Sequence, residues 1–367
     1  MGIRVRAALR AARVASVASV ACLVAVVVLL APGVAARAET LHFGILPVLD
    51  TLPLQVAATQ GCFARRGLDV ELVNFASALE RDTAMQAGQI DGYFGDLIAT
   101  LLLLDHGVDM RVALVSYRTQ PGQRMFGLVT SPSRASGKLE DMHRATVGLS
   151  SSTIIEYLLD RMLERRGLPL DQFRRVEVKR VPIRMQMLAQ GQIDLALLPE
   201  PLLSLAESQG GTVLATAEDL DQPLTVLCLA SRYFRDGHTA RAFVEAVAEA
   251  VRFLRAEPER FRPLMAEACR IPAPLVGAFP VYGYPDPALP SPAEVRAVEQ
   301  WMTDHAMLSE PIPYARLVPP EAEAIYAPAP SASGPAASGP SASGPAASGP
   351  GASSPVAPAP PSAPVAP

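Results

Sequence analysis

Four consecutive hydroxyl side chains, Ser150, Ser151, Ser152 and Thr153, stand between a short apolar run and a helical pattern. Free backbone N–H groups at a helix start, joined by hydroxyls, make an anion site that needs no buried cation. Plain capping would occupy only one of the four. Ser77, with Glu80 three residues on, offers a second helix start of the same kind. Asp96 and Glu200 follow apolar runs and could accept from an amine or hydroxyl, although Glu200 reads more readily as a solvated or hinge-stabilising carboxylate. Arg184 could grip an anion bidentately, but an arginine at a helix start commonly faces solvent. Tyr117 could stack on a ring, whereas Tyr93 lies within an apolar strand and reads as core. Donors and acceptors together suit a small molecule with an anionic head and a polar or amine tail. His42, His106, His143, His238 and His305 are scattered, and no Ser/His/Asp order, CxxC, HExxH or phosphate loop appears. The sequence therefore names no catalytic residue, metal ligand or cofactor.

These residues need elements to hold them. LHFGIL at 41–46 is a strand, and Pro47 ends it; a helix then runs to Cys62 and Phe63, before Gly67. Residues 68–73 alternate as a second strand. A helix opened by Ser77 runs to Gly88, and 90–94 form a third strand. The plan returns with a strand at 146–149, a helix at 154–166, a strand at 176–181, a helix to Gly191 and a strand at 193–198. Such a rhythm predicts a mostly parallel sheet covered by helices, twice over. Two words recur with it: Arg65-Arg66-Gly67-Leu68 matches Arg165-Arg166-Gly167-Leu168, and Gly88-Gln89-Ile90-Asp91 matches Gly191-Gln192-Ile193-Asp194. The chain thus contains two similar α/β lobes. The apolar strands near 126–131 and 224–230 are expected to carry it from one lobe to the other and back.

Ligands of such sheets bind outside the carboxyl ends of the strands. That rule selects Pro47, Asp50, Thr51, Ser77, Ala78, Asp96, Ser116 and Tyr117 in the first lobe. In the second it selects Ser150, Ser151, Ser152, Thr153, Arg184 and Glu200.

The ends do not belong to the fold. Residues 1–38 carry a basic start, an apolar run at 14–30 and Ala36-Arg37-Ala38, the pattern of an export signal cleaved near Ala38. Retention as an anchor is the alternative, since the run just reaches the short limit for a span. From 327 to 367 the chain is a Pro/Ala/Ser/Gly repeat, too poor in large apolar groups to offset the entropy of ordering. Loss of the leader removes five arginines and no acid, moving the formal charge from −4 to −9. So acidic a chain has no basic stripe for nucleic acid. Cys62, Cys228 and Cys269 remain, an odd and widely spaced set that reads as packed thiols, with one bridge left open.

Several words resemble a known family. They are LPV after the first strand, GCFARRGLDVELV at 61–73, AGQIDGYFGDL at 87–97, LLPEP at 197–201 and the strand leading to SRYF at 231–234. Together they are similar to the periplasmic solute-binding proteins of nitrate, sulfonate and taurine importers, a family with thiamine-precursor-binding members. The likeness spans about residues 40–318. It implies a type II Venus-flytrap fold, with 39–128 and 226–326 as lobe 1, 129–225 as lobe 2 and a ligand cleft between them. It also implies a monomer, outside the cytoplasm, that hands a sulfonate-like or thiamine-precursor-like anion to an inner-membrane ABC permease and its ATPase. A ligand-sensing module for a membrane receptor, or an enzyme resembling the thiamine-pyrimidine synthase of related fold, are the alternatives.

Overall fold

The computed structural model describes residues 39–134 and 137–326, so the expected leader and the repetitive tail lie outside the described residues. Strand β1 (Thr40–Ile45) leads through helix α1 (Leu52–Thr59) to β2 (Asp69–Asn74). Then come α2 (Ala78–Gln86), β3 (Gly92–Gly95), α3 (Leu97–Asp105) and β4 (Met110–Arg118). After β5 (Phe126–Thr130) the plan repeats as β6 (Thr146–Leu149), α4 (Ile154–Arg165), β7 (Arg174–Glu177), α5 (Val181–Ala189) and β8 (Leu195–Pro199). Helix α6 (Leu202–Ser208), β9 (Val213–Thr216) and β10 (Pro223–Ala230) follow. The remainder is helical: α7 (Arg232–Arg235), α8 (Thr239–Ala256), α9 (Arg262–Ala268), α10 (Pro292–Asp304), α11 (Tyr314–Leu317) and α12 (Pro320–Tyr326).

The strands form two five-stranded sheets, ordered β2-β1-β3-β10-β4 and β7-β6-β8-β5-β9. In the first, β1 runs parallel to β2 and β3, and β10 lies antiparallel between β3 and β4. In the second, β6 is parallel to β7 and β8, with β5 antiparallel between β8 and β9. The expected crossing points are displaced. Neither β5 nor β10 spans the lobes, for each pairs wholly within one sheet. The chain passes through 119–125 on the way out and 217–222 on return, outside the expected limits at 128/129 and 225/226. These two segments brace each other: the Thr119 N–H donates to Gln222 O (3.0 Å), the Gln222 N–H to Thr119 Oγ1 (2.8 Å) and the Gly122 N–H to Glu218 (2.9 Å).

The duplication extends to individual atoms. Gly44 in β1 has no room for a side chain, since a Cβ there would sit 2.6 Å from Ile90 Cδ1 and 3.3 Å from Arg81 Cγ. Gly148 in β6 is crowded alike, by Ile193 Cδ1 at 2.5 Å and Arg184 Cγ at 3.2 Å. Arg81 and Arg184 each start a helix, are fully buried, and donate to the carbonyl thirteen residues on, Phe94 O (2.7 Å) and Leu197 O (3.0 Å). Asp91 accepts from the His42 N–H and Asp194 from the Thr146 N–H, both at 2.8 Å, tying each third strand to its first.

Helix α8 packs on α1 with an apolar stripe, and Phe243 stacks between Phe43 and Phe63 at centroid distances of 5.1 and 5.4 Å. Such pairs add about 1 kcal/mol beyond their burial. Helix α10 opens with a capping box between Ser291 and Glu294. Its far end reaches the second lobe, where the Trp301 indole N–H donates to Asp160 on α4 (2.9 Å) and its ring meets Tyr157 edge-on. Cys62, Cys228 and Cys269 are buried free thiols. Among the described residues no helix is long and apolar enough to cross a membrane, and no His/Cys/Asp/Glu cluster could hold a metal.

Candidate functional site

The segment after β1 makes one 3-10 turn, Leu49–Thr51, and is pinned from several sides. Tyr284 donates to Leu49 O (2.5 Å), Thr51 Oγ1 to Val48 O (2.7 Å) and Ser116 Oγ to Asp50 O (3.0 Å). The turn holds the Asp50 side chain 1% exposed, and neither of its carboxylate oxygens finds a hydrogen-bond partner among the described residues. The Thr225 hydroxyl, on β10, is buried and equally unpartnered. Native proteins rarely leave such groups alone, because each forfeits its hydration for nothing. Burial drives the Asp50 pKa from 3.8 to about 7; its own backbone amide and the neighbouring Thr225 hydroxyl draw it back only in part.

Both groups line one cavity of about 70 Å³ between the sheets. Leu46, Val48, Phe94, Phe126, Ile154 and Val181 make its wall mostly apolar. Asp96 completes it. Its carboxylate caps α3, accepting from the Ala99 N–H at 2.8 Å. Burial raises its pKa to about 6, against the pull of that N–H, of Arg81 and, from the facing lobe, of the Ile154 N–H at the start of α4. Arg81 lines the cavity too, but its guanidinium is taken by Asp82 and Phe94 O. Among the described residues the cavity therefore has acceptors to spare and no buried cation to spare. A larger compartment adjoins it on each side, of about 360 Å³ beside Pro47 and Glu200 and of about 310 Å³ beside Ser151 and Glu177. Arg180 reaches across the lips of the lobes to Glu80 at 2.6 Å.

Of the residues selected in the sequence, Asp50, Ala78, Asp96, Ser150 and Thr153 meet at the inner cavity. Pro47 and Glu200 line one outer compartment, and Ser151 and Ser152 the other. Thr51, Ser77, Ser116 and Tyr117 are buried but do not line the inner cavity: Ser77 caps α2, and Tyr117 donates to Gln123. Three of the four hydroxyls in the cluster are already engaged. Ser150 accepts from Arg184, Ser151 donates to Glu177 (2.7 Å), Thr153 caps α4 by accepting from the Ile155 N–H, and the Ser152 N–H is bound to Glu156. Arg184 differs from both expectations for it. It is buried and lines none of these three cavities, its guanidinium held against Val178 O, Leu197 O and Ser150. Glu200 is fully buried and satisfied by the Ser204 N–H and hydroxyl, both at 2.9 Å, with Arg124 at 3.3 Å. Burial raises its pKa nonetheless. Tyr93 is core, bonded to Thr100 (2.7 Å). Sequence reading missed Thr225, whose one signal is that it is the lone hydroxyl of an otherwise apolar strand.

A model of the NMT1-like family matches residues 35–270. No curated protein matches the sequence. Among solved structures, the ligand-binding component of an ABC-type import system from Staphylococcus aureus, with zinc bound, is similar at TM-score 0.64 and 16% identity, over 78% of this chain and 98% of that one. The alkanesulfonate-binding protein SsuA from Xanthomonas axonopodis pv. citri, bound to MOPS, gives 0.64 and 18%, over 78% and 99%. The desulfurization enzyme DSZB shares the fold as well, at 0.58 and 16%, over 78% and 99%.

Proposed function

The chain belongs to the NMT1-like family, and from that premise we propose that it is the extracytoplasmic solute-binding component of an ABC importer, binding cargo between its lobes and passing it to a membrane permease. One observation carries the reading: a cavity walled by both sheets holds buried polar groups that no group among the described residues satisfies. Substrate binding without turnover asks for that and no more. The cavity has room for about five to seven water-sized groups, at roughly 10–15 Å³ each. A small organic ion of the taurine or thiamine-precursor size class would fill it together with part of an outer compartment.

Its mechanism is lobe closure about the paired segments 119–125 and 217–222. Bound solute adds contacts that only the closed form makes, so it shifts the population toward that form. The Arg180–Glu80 pair and the approach of Asp96 to α4 belong to the same closed state. The DSZB likeness makes catalysis the rival, and recovery of the cargo separates the two. Purified protein incubated with a metabolite extract and examined by native mass spectrometry should show one stoichiometric adduct, released chemically unchanged on denaturation. A released molecule altered from the one supplied would sink the binding reading, as would unchanged small-angle scattering on saturation.

A further inference from the structure

Asp50 and Thr225 are odd choices for a wall that is otherwise apolar. Two carboxylate oxygens and one hydroxyl oxygen converge from the end of β1 and from β10, all buried, and none has a partner among the described residues. Among the described residues no nearby cation is available to neutralise the carboxylate from inside. Arg81 and Arg184, the buried arginines closest in the fold, spend their guanidinium groups on backbone carbonyls, Asp82 and Ser150. Lys179 stands exposed at the opening on the α4 side. Asp96 adds a second carboxylate to the same cavity.

Resting on the solute-binding reading, we infer that the inner cavity is a subsite for a protonated amine of the cargo, held by Asp50 and Thr225. Three acceptor oxygens match the three N–H bonds of an ammonium group, and the positive charge is what a desolvated carboxylate lacks. A hydroxyl on the ligand would satisfy one oxygen and leave the charge. An anionic head placed here would meet Asp50 and Asp96 and be repelled by both. If the cargo is an amino-sulfonate or amino-carboxylate, its anionic end therefore points outward, toward Lys179 and the opening. The amine end is the one the protein encloses.

Matched probes test this by calorimetry: 2-aminoethanesulfonate against ethanesulfonate and 2-hydroxyethanesulfonate, and β-alanine against propionate. The amines should bind at least tenfold more tightly than their amine-free partners. Asp50→Asn should weaken amine binding about 10- to 100-fold, as expected for removal of a charge-assisted bond, and should abolish the discrimination. Thr225→Val, which keeps the shape, should weaken it a few-fold, and it serves in place of Asp50→Asn if that variant does not fold. Equal binding of amine-free probes, or unchanged affinity in Asp50→Asn, would overturn the amine subsite and leave solute binding standing. If no probe binds, the adduct captured from extract decides. An amine whose capture Asp50→Asn abolishes supports the subsite, and a cargo without a basic nitrogen overturns it. No adduct at all overturns both this inference and the function on which it rests.

Discussion

Replacing Asp50 by asparagine should stabilise the empty protein, and do so much more at pH 8 than at pH 5. The folded-state pKa of about 7 lies above the ordinary 3.8, so between those values the native chain holds a proton that the unfolded chain has released. Stability then falls as pH rises through that window, opposite to the usual behaviour of a salt-bridged carboxylate. The full penalty, about three pKa steps at 1.36 kcal/mol each, is about 4 kcal/mol above pH 7. At pH 5 only about 2 kcal/mol has accrued, so the difference between the two conditions is about 2–3 kcal/mol. Asparagine is neutral at both, and its own unsatisfied amide resembles the protonated carboxyl, so that cost cancels in the comparison. Asp96 and Arg81 share the cavity, and Tyr117, Tyr284 and Cys269 lie close by, but all stay in place in both proteins. For the roughly 290 described residues the unfolding entropy converts 2–3 kcal/mol to a Tm difference of about 4 °C. Urea or thermal unfolding of both proteins, ligand-free, at pH 5 and pH 8 reads it directly. Parallel pH profiles, differing by less than about 1 kcal/mol across the range, would refute the reasoning, for Asp50 would then have a partner or water enough to ionise normally.

Three further outcomes follow from the same geometry. Arg180→Ala removes an exposed interlobe ion pair, so cargo affinity should fall no more than a few-fold, and the deficit should vanish in high salt; a large, salt-independent loss would mean that Arg180 touches the cargo. Asp160→Ala strips a fully buried carboxylate from Arg175 (2.5 Å), Trp301 (2.9 Å) and His305 (3.0 Å) and should cost about 3 kcal/mol in urea unfolding. Ser151→Ala loses only a hydroxyl bonded to Glu177 and should leave affinity within about twofold; a tenfold loss would return the hydroxyl cluster to the binding site.

The duplicated lobes were legible because their signals are local: a glycine that ends a helix, then an apolar run, twice at nearly one spacing. The place of Asp50 beside the inner cavity was legible too, through the rule that residues after the strands line the crevice at the sheet's carboxyl end. What a strand-end rule does not supply is which side chains remain free. Ser151 and Ser150 look like a donor cluster in sequence, and only the fold brings Glu177 and Arg184 to engage them, from 26 and 34 residues away. Arg184 sits at a helix start that sequence places at the surface, yet the missing side chain of Gly148 opens a buried berth for it. The crossing points slipped for a related reason. An all-apolar strand such as β10 reads the same whether it joins one sheet or links two, and its partners β3 and β4 lie more than a hundred residues back. Thr225 was hidden inside that strand.

The repeat itself separates framework from chemistry. Gly44 and Gly148, Arg81 and Arg184, Asp91 and Asp194 do the same work at equivalent places in the two lobes. A residue present in both copies with the same partners is explained by the fold each copy needs, however chemical its side chain looks. By that argument Arg184 holds α5 to its sheet as Arg81 holds α2, and neither is spare for an anion. Asp50 and Thr225 share no such pattern of bonds with the second lobe. Their side chains bond to no group among the described residues, and Asp50 costs stability whenever it ionises in the empty cavity. A buried group that weakens its own fold without such a bond is what the proposed amine subsite accounts for.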